Sequence, residues 1–150
     1  MENLHIAHDA WVLIGDGRKA LFMRNAGTPS KPDLEVIDVL EDDDNPPTRE
    51  QGTERPGRTM ESTTARKSAM EQTDWHTRAE EKFAETVAAK LDEEARTGKF
   101  ERLIVVAPPP TLATLRKSFH ANTQELIVAE VPKDFTNHPA PEIARLLTGG

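Results

Sequence analysis

The chain has no cysteine. That excludes a disulfide framework, a thiolate zinc site and a cysteine nucleophile. It has no apolar run near the roughly 18 residues that a membrane helix needs, so no membrane partner is expected. The first residues, Met1-Glu2-Asn3-Leu4-His5, lack the basic and apolar regions of a secretory signal. A cytoplasmic location is the expectation. Basic charge is also short: 19 Lys and Arg face 26 Asp and Glu, for a net charge of −7. A general DNA-coating protein would carry a basic footprint instead, so DNA is not an expected partner.

The hydrophobic fraction, 36%, is low, but the deficit is local. Positions 41–82 contain no Val, Ile, Leu or Phe. Elsewhere about half of the residues are apolar or glycine, an ordinary globular proportion. The length of 150 residues suits one domain spanning 1–150. A long polar loop at about 41–74 interrupts it, and such loops tend to be functional or disordered.

Local patterns give the element order. Ala10-Trp11-Val12-Leu13-Ile14 reads as a buried strand. Asp16-Gly17 reads as a tight hairpin turn with positive φ, and Ala20-Leu21-Phe22-Met23 as the returning strand. After a loop at Gly27-Thr28-Pro29-Ser30, Leu34–Leu40 forms a third strand rich in branched residues. A fragile helical turn is expected within 61–72. Ala79, Phe83, Val87, Leu91 and Ala95 then repeat as one helical stripe. Thr77 and Glu80 have capping-box spacing, and Gly98 is a helix stop. Arg102–Ala107 is a buried strand before Pro108-Pro109-Pro110. Thr111 caps a short helix carrying Leu112, Leu115 and Phe119. Glu125–Val131 is a further strand, and Pro141 opens a last helix with Ile143, Leu146 and Leu147 inward. The order βββ-αβαβα implies an α/β fold: a mixed sheet, with an N-terminal antiparallel meander followed by βα repeats and helices on its faces.

Chemical motifs are sparse. Gly52-Thr53-Glu54-Arg55-Pro56-Gly57-Arg58-Thr59 has the glycine spacing of a phosphate loop. However, Arg58 stands in place of lysine, and Pro56 removes a cradling N–H. The same segment concentrates cations. Arg55, Gly57, Arg58, Thr59, Arg66 and Lys67 are the candidate phosphate- or RNA-binding set, because guanidinium groups match phosphate geometry. Arg49 adds to the charge, and interspersed acids balance it, so a solvated mixed-charge loop is the plainer reading. His5 and His8 are spaced for a metal but lack a third partner, and His76, His120 and His138 are scattered; no metal site is expected. Glu41-Asp42-Asp43-Asp44 lacks the spacing of a calcium loop. Asp38 shares a strand face with Leu34, Val36 and Leu40 by simple alternation. It could join Asp16 or Asp134 in a two-metal nuclease site, although a solvated carboxylate is the commoner occupant of such a face. No cofactor is implied.

Several ordered stretches resemble the bacterial host-attachment protein family. They are Trp11–Ala20, Pro56-Gly57-Arg58, Phe83-Ala84, Leu103–Pro109, Leu112–Arg116 and Val131–Thr136. That family is similar in turn to the central domain of archaeal and eukaryotic peptide-release factors, whose fold is related to ribonuclease H. In release factors the long loop carries a Gly-Gly-Gln tripeptide that promotes water attack on peptidyl-tRNA. The matching place here is Pro56-Gly57-Arg58-Thr59, where one glycine remains and the glutamine is missing. The resemblance therefore implies a non-catalytic binding module that associates with ribosome or tRNA through the arginine-bearing loop. The alternatives are a peptidyl-tRNA or RNA hydrolase using the same loop, and a structural homo-oligomer.

Overall fold

The computed structural model describes residues 4–42 and 69–149, with side chains of the second stretch from residue 77. Five strands form one sheet: β1 (Trp11–Gly15), β2 (Lys19–Asn25), β3 (Leu34–Glu41), β4 (Leu103–Val106) and β5 (Ile127–Val131). Their spatial order is β3-β2-β1-β4-β5. β1–β2 and β2–β3 pair antiparallel, whereas β1–β4 and β4–β5 pair parallel. Four helices complete the described chain: α1 (Ala69–Arg96), α2 (Pro109–Ser118), α3 (Ala121–Leu126) and α4 (Ala140–Thr148). The expected α/β architecture, a meander followed by βα units, is the one observed.

β1 and β4 are buried along their whole length because both faces of the sheet are covered. That is why they read as continuous apolar runs rather than alternating ones. On one face Trp11, Leu13, Phe22, Leu103 and Val105 meet Phe83, Val87 and Leu91 of α1 and Leu112 and Leu115 of α2. On the other, Val12, Ile14, Met23, Ile104 and Val106 meet Ile143 and Leu147 of α4, with Ile6 of the N-terminal segment. Fully burying each such side chain is worth about 1.5–3 kcal/mol.

Asn25 joins three segments and is fully buried. Its amide nitrogen donates to the carbonyls of Ile6 (2.8 Å) and Ala7 (3.3 Å), and its Oδ1 accepts from the N–H of Gly27 (2.9 Å) and Asp33 (2.9 Å). The next turn closes tightly on itself: a Cβ on Gly27 would lie 2.3 Å from the Lys31 carbonyl oxygen.

α1 is tied to the edge strand by charge. Lys90 Nζ lies 2.8 Å from Asp38 Oδ2 and 3.5 Å from Glu94 Oε2. It also sits 5.4 Å from the centroid of the Phe22 ring. Hydrogen bonding to the ammonium holds Asp38 below the usual carboxylate range, and bonding to Asp38 raises Lys90.

Several local expectations differ from the structure. Helix α1 begins at Ala69, so Thr77 and Glu80 lie inside it and form no cap. β3 runs through Glu41, and the polar stretch is correspondingly shorter at both ends. The Asp16-Gly17 turn does not use positive φ; among the described glycines only Gly98 and Gly149 do. Asp16 makes the turn instead, with Oδ1 accepting from the N–H of Arg18 (2.8 Å) and Lys19 (2.8 Å). Gly17 serves close approach, since a Cβ there would lie 2.6 Å from Glu80 Cγ. A bulge shifts the β2–β3 register, so that Met23 faces Val36 while Phe22 faces Asp38. Asp38 and Leu40 therefore point to the α1 side, and Leu34 and Val36 to the opposite side, unlike the single face that alternation predicts. Pro108, not Thr111, precedes α2 as its N-cap, and no side chain caps that helix. The start of the expected Glu125–Val131 strand is helical through Leu126. There Asp92 of α1 accepts the His120 N–H (3.0 Å) and the Thr123 hydroxyl (2.5 Å), fixing the entry of α3.

Two outcomes follow. Asn25→Ala removes a fully buried amide and leaves four backbone groups without their partner, the Ile6 carbonyl among them buried, and chemical denaturation is expected to show a loss of about 2 kcal/mol or more, at ~1–3 kcal/mol for a buried group left unsatisfied. A loss below about 1 kcal/mol would contradict this role. The Asp38–Lys90 pair is partly exposed and worth under about 1 kcal/mol. Its contribution is complete between the ordinary carboxylate and ordinary lysine ranges. It fades as pH falls through the lowered Asp38 value or rises through the raised Lys90 value. Asp38→Asn is expected to flatten that pH dependence in thermal melts, and an unchanged profile would exclude the pair as its source.

Candidate functional site

β1, β3, β4 and β5 all run in one direction, so their carboxyl ends share one rim of the sheet. After β1 the chain turns back into β2, whereas after β4 it passes through α2 and α3 to β5 on the far side. Neighbouring connections thus diverge between β1 and β4. In open α/β sheets that divergence leaves a crevice at the carboxyl ends, where ligands commonly bind.

Three segments are fastened there. The Asp16 turn is closed by its own N–H donating to the Lys19 carbonyl (3.0 Å). The loop after β5 folds over it through Thr136, a buried hydroxyl. Thr136 Oγ1 lies 2.6 Å from Asp134 Oδ1 and 3.2 Å from Asp16 Oδ2. Asp134 also accepts the Thr136 N–H at 3.0 Å, so the loop carries its own turn. The third segment leaves β3, with the Asp42 N–H donating to the Arg18 carbonyl at 2.9 Å. Helix α1 passes the same rim where Glu80 packs over Gly17. The turns of α1 before Glu80 therefore project beyond the sheet. Thr77, Glu80 and Glu81 of α1 line a cavity of about 50 Å³ with Pro110, Thr111 and Thr114 of α2.

The chemistry of this rim is polar and mixed. The carboxylates of Asp16, Glu80, Glu81 and Asp134 stand among the cations of Arg18, Lys19 and Lys133. It is not a basic platform by itself. The start of α2 adds little attraction for an anion, because Pro109 and Pro110 have no N–H to offer.

The sequence-derived sites divide in two. Arg55, Gly57, Arg58, Thr59, Arg66 and Lys67 lie outside the described residues. The stretch that contains them, 43–68, joins the described chain at Asp42 and Ala69. Asp16 and Asp134 do meet, through Thr136, but Asp38 is turned to Lys90 by the β3 bulge and does not join them. Among the described residues no group of three or more His, Asp or Glu side chains is placed to hold a metal ion. The histidines have separate surroundings. His8 Nδ1 contacts the Gly27 carbonyl at 2.7 Å, His120 lies 3.7 Å from Asp92, and His138 lies 3.2 Å from Glu142 and edge-on to Phe135. Sequence reasoning passed over Thr136 as a fastener. Its signal was present, since Asp134-Phe135-Thr136 has the side-chain-to-backbone spacing of an Asx turn.

No curated protein matches the chain. A family model described as bacterial archaeo-eukaryotic release factor family 12 matches residues 9–147. The match runs from just before β1 into α4 and takes in every described strand. It agrees with the release-factor resemblance carried by the ordered motifs, and the mixed sheet with four helices fits it. The chain belongs to bacterial archaeo-eukaryotic release factor family 12.

Proposed function

We propose that this protein is a non-catalytic member of the release-factor-like group that associates with ribosome or tRNA. Arg55, Arg58, Arg66 and Lys67 contact RNA phosphates, with Gly57 letting the backbone approach and Thr59 offering its hydroxyl. One observation carries the reading. The stretch holding these residues is rooted at the carboxyl rim, where Asp42 is bonded to the Arg18 carbonyl on one side and α1 extends past the sheet on the other. That rim is mixed in charge, so phosphate affinity must come from the cations of the stretch itself. Family membership points the same way, toward a translation-related partner. The sequence contains no Gly-Gly-Gln, which favours binding over release-type hydrolysis. A ribosome-associated role places the protein in the cytoplasm. The host-attachment phenotype that the resemblance implies then arises indirectly, from inside the cell.

Sedimentation with purified ribosomes, and filter retention of tRNA, at several salt concentrations test the reading. Affinity is expected to fall with salt, and the slope of log K against log salt is expected to shrink by about 0.7–0.9 for each phosphate-contacting cation removed. The variant carrying Arg55→Ala, Arg58→Ala, Arg66→Ala and Lys67→Ala should lose most retention at unchanged thermal stability. Absence of retention by the parent protein at low salt, or equal retention by the variant, would overturn the proposal. Release of peptide from peptidyl-tRNA by the parent, lost in Arg58→Ala, would establish the enzyme instead.

A further inference from the structure

β3 is an edge strand, with one side of its backbone unpaired by the sheet. Among the described residues four large hydrophobic side chains are exposed, and three of them belong to β3: Val36 at 48%, Ile37 at 42% and Val39 at 42%. An open apolar edge is a template for pairing with another chain, and charged side chains normally blunt it. Here two of the three acids are already engaged within the chain. Glu35 Oε1 lies 3.4 Å from Arg24 Nη2, and Asp38 Oδ2 lies 2.8 Å from Lys90 Nζ. The bulge at Ile37 then sorts the side chains. Val36 pairs with Met23 and Val39 with Leu21, so Leu34, Val36, Val39 and Glu41 share the α4 face of the sheet. Glu35, Asp38 and Leu40 share the α1 face.

This order is self-complementary. Consider two β3 strands paired antiparallel about a two-fold axis between Ile37 and Asp38. Val36 of one copy then faces Val39 of the other, Glu35 faces Leu40, and Leu34 faces Glu41. Each of these pairs lies on one face of the joined sheet, and no acid opposes an acid. Both copies carry the same bulge, so the two strands keep equal counts between their valines, and the bulge does not block the pairing. Val36 and Val39 of the two copies meet as four branched side chains on the α4 face, the kind of cross-strand contact that stabilises a ladder. Sliding one copy by two residues, so that Leu34 faces Val39, would set Glu35 against Asp38, and like charges directly opposite destabilise a pair. The sequence of the strand thus selects both an occupant and a register. We propose that β3 is the two-fold interface of a homodimer, in which Val36 of each copy packs against Val39 of the other and the two five-stranded sheets become continuous. The net charge of −7 opposes close approach of two copies, so association is expected to tighten as salt screens that repulsion. The proposal does not depend on RNA binding.

Sedimentation velocity and amide hydrogen exchange at rising protein concentration test it. The parent is expected to form dimers, with protection along Leu34–Glu41 that grows with concentration. The double variant Val36→Lys, Val39→Lys sets cations against cations and should dimerise at least about tenfold more weakly, a change of ~1.4 kcal/mol. Its melting temperature at low concentration should match the parent's, because both side chains are exposed in the single chain. Cross-linking reads the register, since the chain has no cysteine of its own. An oxidised mixture of Val36→Cys and Val39→Cys chains should give a cross-linked dimer, because facing Cβ atoms of an antiparallel pair lie about 4.5–5.5 Å apart. Either variant alone should cross-link little, because each sulfur then faces a valine. A parent that stays monomeric at ~1 mM, where even a weak dimer of that dissociation constant would show, would overturn the proposal. So would dimers with protection away from β3, dimers unaffected by the two lysines, or cysteine variants that cross-link as well alone as mixed.

Discussion

The two-sided burial of β1 and β4 is the constraint on which the rest depends. These strands carry apolar residues on both faces, so helices must cover both. α1 and α2 take one side, and α4 with the N-terminal segment takes the other. With both faces of these two central strands covered, the ends and the outer strands of the sheet stay open among the described residues. Parallel pairing then separates the two ends chemically. The carboxyl end gathers turns of Asp, Thr and Lys, while the amino end carries the Asn25 knot that closes the first strands.

The carboxyl rim is held by short polar links. Thr136 joins the turns after β1 and β5, and the Asp42 N–H joins the exit of β3 to the same turn. α1 is fixed to the sheet lower down, by its apolar stripe and by Lys90 on Asp38. The polar stretch between β3 and α1 therefore leaves and returns through anchored points. The segment is tied to described elements at both of its ends. This is the geometry by which a fold presents chemically distinct residues on a firm base.

Much of this was legible in the residues. Continuous apolar runs marked β1 and β4, the four-residue stripe from Ala79 to Ala95 marked the buried face of α1, and Gly98 ended the helix with a φ of 76°. Several of the misreadings needed a partner distant in sequence. Helix α1 extends upstream of the Thr77–Glu80 pattern. The face of Asp38 depended on a bulge that only the pairing with Phe22 and Met23 creates. The first residues of the expected last strand became α3, where Asp92 of α1 supplies the acceptor for its first turn. Gly17 lies under the Glu80 side chain, and its backbone does not use positive φ. The arginine-bearing candidates were found by composition alone, and composition says which residues are present but not how they are arranged.

The central claim is that RNA is met at the carboxyl rim. The most direct measurement is amide chemical-shift mapping of the labelled protein as tRNA is added. The account predicts perturbations at the Asp16–Lys19 turn, at the Thr77–Glu81 part of α1 and in the Lys133–Thr136 loop, with the Gly27 and Gly98–Arg102 loops at the opposite end unchanged. Perturbation confined to the amino-end loops, or none at any tRNA concentration, would contradict it.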